Sequence, residues 1–134
     1  MPFHQLYLHM TFATAQRKPL ITLDLEQRLW AAVASKSKDL GCEVLAVGGM
    51  PDHVHLLTEL PPTLPVSDLA QGVKGASAHL MVDELAPKSG FLWQEGYGAF
   101  TLRKDEVAAV VRYIANQKEL HLLGKLSKLM ERAN

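Results

Sequence analysis

The chain has a single cysteine, Cys42, which excludes a disulfide framework and any Cys-rich zinc fold. It also lacks a charge of one sign: 14 basic and 14 acidic side chains cancel. The bulk electrostatic signature of a nucleic-acid binder is therefore missing, and any contact with a polyanion has to come from a local patch. No run of about 18 uncharged apolar residues occurs, so no segment is read as a membrane span. The opening MPFHQLYLHM lacks the basic and apolar regions of a signal peptide, and the expectation is a cytoplasmic protein. No repeat, low-complexity segment or linker divides the sequence. With 134 residues, 48% of them hydrophobic, one domain over 1–134 is expected, with room for a real core. Barrel enzymes, which need roughly 250 residues, are excluded.

The segment from Phe3 to Thr14 is rich in aromatic and β-branched residues and predicts a strand. Leu6, Leu8 and Met10 fall on one parity; Tyr7 and His9 fall on the other. Arg17, Lys18 and Pro19 form a basic loop. Asp24 is a plausible N-cap for a helix that carries Leu25, Leu29, Val33 and Leu40 at helical spacing and stops at Gly41. Glu43 to Val47 and His53 to Leu60 predict a hairpin around the turn residues Gly48 to Asp52. Ser67 is positioned to cap a second helix over 68–85. Phe91 to Trp93 and Tyr97 to Leu102 predict short extended pieces. Asp105 starts a final helix through about Leu123, followed by a short charged tail, Lys125 to Asn134, which could continue as a helix. The order β-α-β-β-α-β matches the split β-α-β pattern. The fold class expected is α+β, ferredoxin-like (RRM-like): an antiparallel sheet with two helices on one face, plus a C-terminal helix.

Chemistry concentrates in Met50-Pro51-Asp52-His53-Val54-His55-Leu56-Leu57. Side chains two apart on a strand share a face. His53 and His55 therefore point together, with Cα atoms about 6–7 Å apart at a rise of ~3.3 Å per residue. Val54 and Leu56 point the other way, toward the core. Two imidazoles side by side can offer two nitrogens to one cation; two surface histidines on a solvated sheet face are the plain alternative. On the final helix Val107, Val110, Val111 and Ile114 form the apolar stripe, and Tyr113 and Gln117 lie together on its flank. That pair is either a half-buried tyrosine with a neighbour or a phenol nucleophile one turn from an amide oxygen, a neutral hard donor suited to a divalent ion. Tyr7 and Tyr97 lack such a partner. His4, His9, His79 and His121 have no comparable local partner, and a surface or packing role is expected of each.

Taken together, MPDHVHLL, VKGAS, LWQEGYGAFTL and YIANQ resemble the small single-tyrosine transposases of insertion sequences (TnpA type), which belong to the HUH nucleases. The resemblance runs from about Tyr7 to Gln117. It implies metal-dependent cleavage and rejoining of single-stranded DNA through a 5′-phosphotyrosine, in a homodimer with composite active sites. Carried over residue by residue, it makes Tyr113 the nucleophile and His53, His55 and Gln117 the ligands of a divalent metal, Mg²⁺ or Mn²⁺. Lys74, in the Lys-Gly block of the second helix, and Arg17 and Lys18, in the basic segment after the first strand, become candidate DNA contacts. The expected partner is single-stranded DNA, in particular hairpin ends of the mobile element.

Three other readings stand beside this one. A sheet with two helices is also the RNA-recognition architecture, and Gly96-Tyr97-Gly98-Ala99-Phe100 faintly echoes its aromatic signature. A small zinc-type hydrolase would use His53 and His55 with Asp52 or Glu59 nearby. An inactive transposase remnant would keep the pattern without the chemistry.

Overall fold

A computed structural model describes residues 3–124 and 127–134. Four strands form one antiparallel sheet: β1 (Tyr7–Ala13), β2 (Glu43–Met50), β3 (His53–Glu59) and β4 (Gly98–Leu102). Their spatial order is β2-β3-β1-β4, the arrangement expected of a ferredoxin-like fold. Two long helices, α1 (Leu23–Asp39) and α2 (Val66–Leu80), follow β1 and β3. Leu29 and Val33 of α1 and Leu69 and Val73 of α2 join Leu8, Met10, Phe12, Val54 and Leu56 of the sheet in one core. The alternation of β1 and β3 thus sends the even-numbered side chains of these stretches into the core. It leaves His9, Thr11, His53 and His55 on the opposite face.

That second face is not open. Two shorter helices, α3 (Val107–Ala115) and α4 (Gln117–Leu123), and the C-terminal segment lie across it. Gly48 admits α3 to the sheet, since a Cβ there would meet the Ile114 carbonyl oxygen at 2.9 Å. Gly98 does the same for the C-terminal segment, where a Cβ would stand 1.8 Å from the carbonyl oxygen of Arg132. The reading of His53 and His55 as surface histidines on a solvated sheet face is corrected accordingly: they are 1% and 0% exposed.

Other differences have local causes. The first strand is shorter than 3–14 because pairing with β3 and β4 begins only at Tyr7. The hairpin turn is Pro51-Asp52 alone, and Gly48 and Gly49 belong to β2. Thr22 rather than Asp24 is the N-cap of α1. The second helix starts one residue before Ser67, and its α-helical part stops at Leu80, giving way to a π-helical turn over Met81–Leu85. Trp93 makes a single bridge to Thr14 rather than a strand. The final helix is two helices, interrupted at Asn116 (φ −102°, ψ 20°). Of the tail, Lys125 and Leu126 lie outside the described residues; 128–131 form turns, not a helix.

Candidate active site

The Pro51-Asp52 turn places Asp52 directly before β3, and its carboxylate Oδ1 accepts from His53 Nδ1 at 2.7 Å. This fixes the ring and aims Nε2 inward, the usual task of a carboxylate behind a metal-binding histidine. His55 is fixed from β1, its partner strand. Thr11, directly opposite it in register, donates its hydroxyl to the carbonyl oxygen of Met130 at 3.0 Å and stands 3.1 Å from His55 Nδ1. His9 Nε2 lies 2.9 Å from the same nitrogen. With the threonine proton committed to Met130, its oxygen is an acceptor. The proton of His55 then sits on Nδ1, and Nε2 carries the lone pair.

Facing these two Nε2 atoms is a carboxylate that the sequence did not flag. Glu131 Oε1 is 3.0 Å from His53 Nε2, and Oε2 is 2.9 Å from His55 Nε2. The second contact has the distance but not the direction of a hydrogen bond, so among the described residues the buried Nε2 of His55 has no hydrogen-bond partner. His53, His55 and Glu131 can each offer one donor atom within 4.8 Å of the others. Two imidazoles and a carboxylate are a donor set for a divalent first-row ion.

The helices add the remaining groups. Tyr113, on the flank of α3, stacks edge-on to His55 with ring centres 5.9 Å apart. Its hydroxyl donates to Glu131 Oε2 at 2.6 Å and accepts from the Ser127 amide at 3.0 Å. Gln117 is buried at the start of α4. Its Oε1 lies 3.2 Å from His53 Nε2 and 3.1 Å from His121 Nε2. The break at Asn116 does not separate Tyr113 from Gln117; both reach the histidine pair. Beside them is a groove of about 470 Å³ whose lining includes Arg17, Asp52, His53, His121 and Glu131.

Burial and charge divide the protons unequally. Burial opposes the charge of His53, but its hydrogen bonds to Asp52 and Glu131 outweigh that and raise its pKa to about 9. For His55 burial wins, and its pKa falls. His9 drops to about 4, through burial and then the neighbouring His55. Tyr113 is pushed up to about 12 by burial and by its hydrogen bond to Glu131. Burial would raise the Glu131 carboxyl, yet His53, the adjacent His55 and the hydrogen bond from Tyr113 hold it well below the usual carboxylate range. Without a bound ion, the cluster is thus a protonated His53 held between two carboxylates, beside neutral His55 and His9.

Four of the residues marked in the sequence, His53, His55, Tyr113 and Gln117, therefore converge. Arg17 stands at the mouth of the groove, 3.9 Å from Asp52, on backbone that is left-handed at both Gln16 and Arg17 (φ 57° and 54°). Lys18 is exposed beside it. Lys74 is elsewhere: its ammonium donates to the carbonyl oxygens of Gln94 and Gly96 at 2.8 and 2.9 Å. It pins the loop before β4, and those contacts occupy two of its three N–H donors. His9 and His121, expected to be surface or packing residues, belong to the cluster. His9 had a signal in its parity, and His121 in its position four residues after Gln117. Glu131 had none.

The second face of this ferredoxin-like sheet thus gathers a buried histidine pair, a tyrosine and an amide. A family profile described as "Transposase IS200 like" matches residues 2–117, and the chain belongs to that family. Its activity class is accordingly DNA transposition by a DNA-cleaving and strand-transferring enzyme. The ISDra2 transposase TnpA of Deinococcus radiodurans is 29% identical over 121 residues, covering 87% of this chain and 86% of the relative. A solved transposase structure from the same organism superposes with a TM-score of 0.71 at 29% identity, over 87% of this chain and 93% of that one. A REP-associated tyrosine transposase bound to a REP hairpin shares the fold, with a TM-score of 0.64 at 19% identity, over 94% of this chain and 74% of that one.

Proposed function

We propose that this chain cleaves and rejoins single-stranded DNA with Tyr113 as the nucleophile and His53, His55 and Gln117 around a divalent metal, Mg²⁺ or Mn²⁺. The observation that carries this reading is the convergence of Tyr113 on the His53/His55 pair from a different part of the chain. A bound ion would supply Lewis-acid stabilisation of charge on the scissile phosphate. The protein's own groups do the positioning. Asp52 and the His9/Thr11 pair hold both imidazole Nε2 atoms inward. Glu131 and the Ser127 amide fix the Tyr113 oxygen from two sides. Attack of that oxygen on phosphorus forms a phosphotyrosine and breaks the bond to the 3′-oxygen, and the proton given up by the phenol balances the one the 3′-oxygen takes up. The reverse attack by a 3′-hydroxyl rejoins the strand and frees the tyrosine. The phosphodiester energy is conserved in the covalent bond, so no nucleotide is consumed.

The groove beside the site, with Arg17 at its mouth and Lys18 nearby, fits a phosphate-contacting edge. The net charge of zero makes such a local pair of cations the main attraction for DNA. Hairpin-forming single-stranded ends are the proposed substrate, and the cytoplasm is the proposed compartment. The resemblance also implies a homodimer with exchanged helices. In this chain Tyr113 sits against its own His55, which supports a site complete within one subunit. Mixing Tyr113→Phe with His53→Ala chains decides the point: restored cleavage means exchanged helices, and no cleavage means a self-contained site.

The test of the proposal is an adduct assay. Hairpin-bearing single-stranded DNA and Mn²⁺ should give a covalent protein–DNA species, and its DNA-linked peptide should contain Tyr113. Tyr113→Phe removes one oxygen and little volume, so it should bind the hairpin and form no adduct. Linkage at Tyr7 or Tyr97, or full cleavage by the Phe variant, would overturn the assignment.

A further inference from the structure

We infer that Glu131, carried by the C-terminal turn, is the third protein ligand of the ion site, in the place the family resemblance gives to the Gln117 amide. The inference rests on the metal-dependent reading above and changes its ligand set. Three observations carry it. Among the described residues the buried Nε2 of His55 has no hydrogen-bond partner, and a carboxylate oxygen, Glu131 Oε2, is 2.9 Å away. The other oxygen of the same carboxylate is 3.0 Å from His53 Nε2. One side chain thus spans both imidazoles, and all three donors fall within 4.8 Å. Gln117 Oε1 lies 3.2 Å from His53 Nε2 and 3.1 Å from His121 Nε2.

The carboxylate is held there by a built segment rather than a loose end. Gly98 lets the Arg132 carbonyl approach the sheet, buried Thr11 donates to the Met130 carbonyl, and Ala133 is only 4% exposed. Chemistry favours the same choice. A carboxylate brings a negative charge to a dication, and an amide oxygen brings none. With Glu131 the set becomes two histidines and one carboxylate, an arrangement that leaves positions open for a phosphate oxygen and water. Because Glu131 Oε2 also accepts from the Tyr113 hydroxyl, the group that completes the ion site also orients the nucleophile.

Metal binding to the DNA-free chain tests this without reference to activity. Mn²⁺ affinity, measured by titration calorimetry, should fall by roughly tenfold or more in Glu131→Gln and change far less in Gln117→Ala. The visible absorption of the Co²⁺ form should shift in Glu131→Gln and persist in Gln117→Ala. The opposite ranking of the two variants overturns the inference. If His53→Ala and His55→Ala lose Mn²⁺ while Glu131→Gln keeps it, only the role of Glu131 falls. If neither histidine variant affects Mn²⁺, the metal reading itself falls. Should Glu131→Gln fail to fold, the unaltered protein labelled with ¹³Cδ-glutamate replaces it. A stoichiometric Zn²⁺ addition should shift the Glu131 carboxyl resonance, and an unmoved resonance overturns the inference.

Discussion

Gly98→Ala is the smallest perturbation that separates the C-terminal turn from the histidine pair. Gly98 opens β4 opposite Thr11. An added Cβ would stand 1.8 Å from the Arg132 carbonyl oxygen, where real Cβ contacts essentially never fall below 3.0 Å. The obstacle is backbone, so the segment carrying Arg132 must retreat by about 1.2 Å to reach even that limit. Glu131 is the preceding residue, and its 2.9 and 3.0 Å contacts to His55 and His53 do not survive such a retreat. The hydrogen bond from buried Thr11 to the Met130 carbonyl is lost with them. Stranding a buried hydroxyl costs about 1–3 kcal/mol. Intrinsic preference works in the other direction, since Ala in a strand is favoured over Gly by roughly 0.5–1 kcal/mol. A net loss of about 1–2 kcal/mol is expected, or a Tm lower by ~3–6 °C. Hydrogen exchange gives the local readout. The Glu131 and Arg132 amides, bonded to the Ser127 and Leu129 carbonyls, should exchange faster, and Mn²⁺ affinity should drop. A Gly98→Ala protein with an unchanged or higher Tm and fully protected tail amides would falsify the packed-turn argument.

Three further outcomes follow from the same geometry. His55→Ala removes a fully buried ring and leaves His9 and Thr11 without their shared partner, so chemical denaturation should show a loss of about 2–4 kcal/mol; a variant as stable as the parent would mean the ring is not packed as described. His53 carries a proton up to a pKa of about 9 in the ion-free protein, and a metal must displace it, so Mn²⁺ affinity should climb close to tenfold per pH unit from about 7 toward 9; calorimetry showing a flat profile refutes that charge state. His9 is lowered from 6.5 to about 4, with burial as the first cause, so its contribution to stability is present above about 6.5 and is lost as pH falls toward about 4; His9→Gln should flatten the acid limb of a stability–pH curve, and an unchanged limb would assign it to other groups.

Period and parity made most of the fold legible in the sequence. The alternation at His53-Val54-His55-Leu56 states which side chains face the core, and Val54 and Leu56 are there. The apolar spacing of Leu29 and Val33 marks α1 in the same way. What periodicity could not state was how the second face of the sheet is covered. An exposed face and a face buried beneath short helices give the same alternation. The burial of His53 and His55 was therefore invisible, and so was the interruption at Asn116. That residue carries no proline or glycine signal, and its neighbours Ile114 and Gln117 are both buried.

Within the site, legibility followed sequence distance. His53 with His55, and Tyr113 with Gln117, are short-range pairs whose spacing on a strand or a helix places them together before any tertiary contact is known. Arg17 and Lys18 were legible as a basic loop, and Arg17 reaches the groove. Lys74 was read from the same kind of evidence, and its ammonium donates to two backbone carbonyls, because a lysine at a half-buried helix position satisfies the nearest unpaired acceptors. Glu131 comes from a stretch with no periodicity. Its place is set by a turn whose only sequence trace is a glycine on another strand, Gly98. A carboxylate delivered by a terminal segment is therefore the kind of ligand that spacing arguments miss. Its structural trace is a buried nitrogen without a hydrogen-bond partner among the described residues, Nε2 of His55.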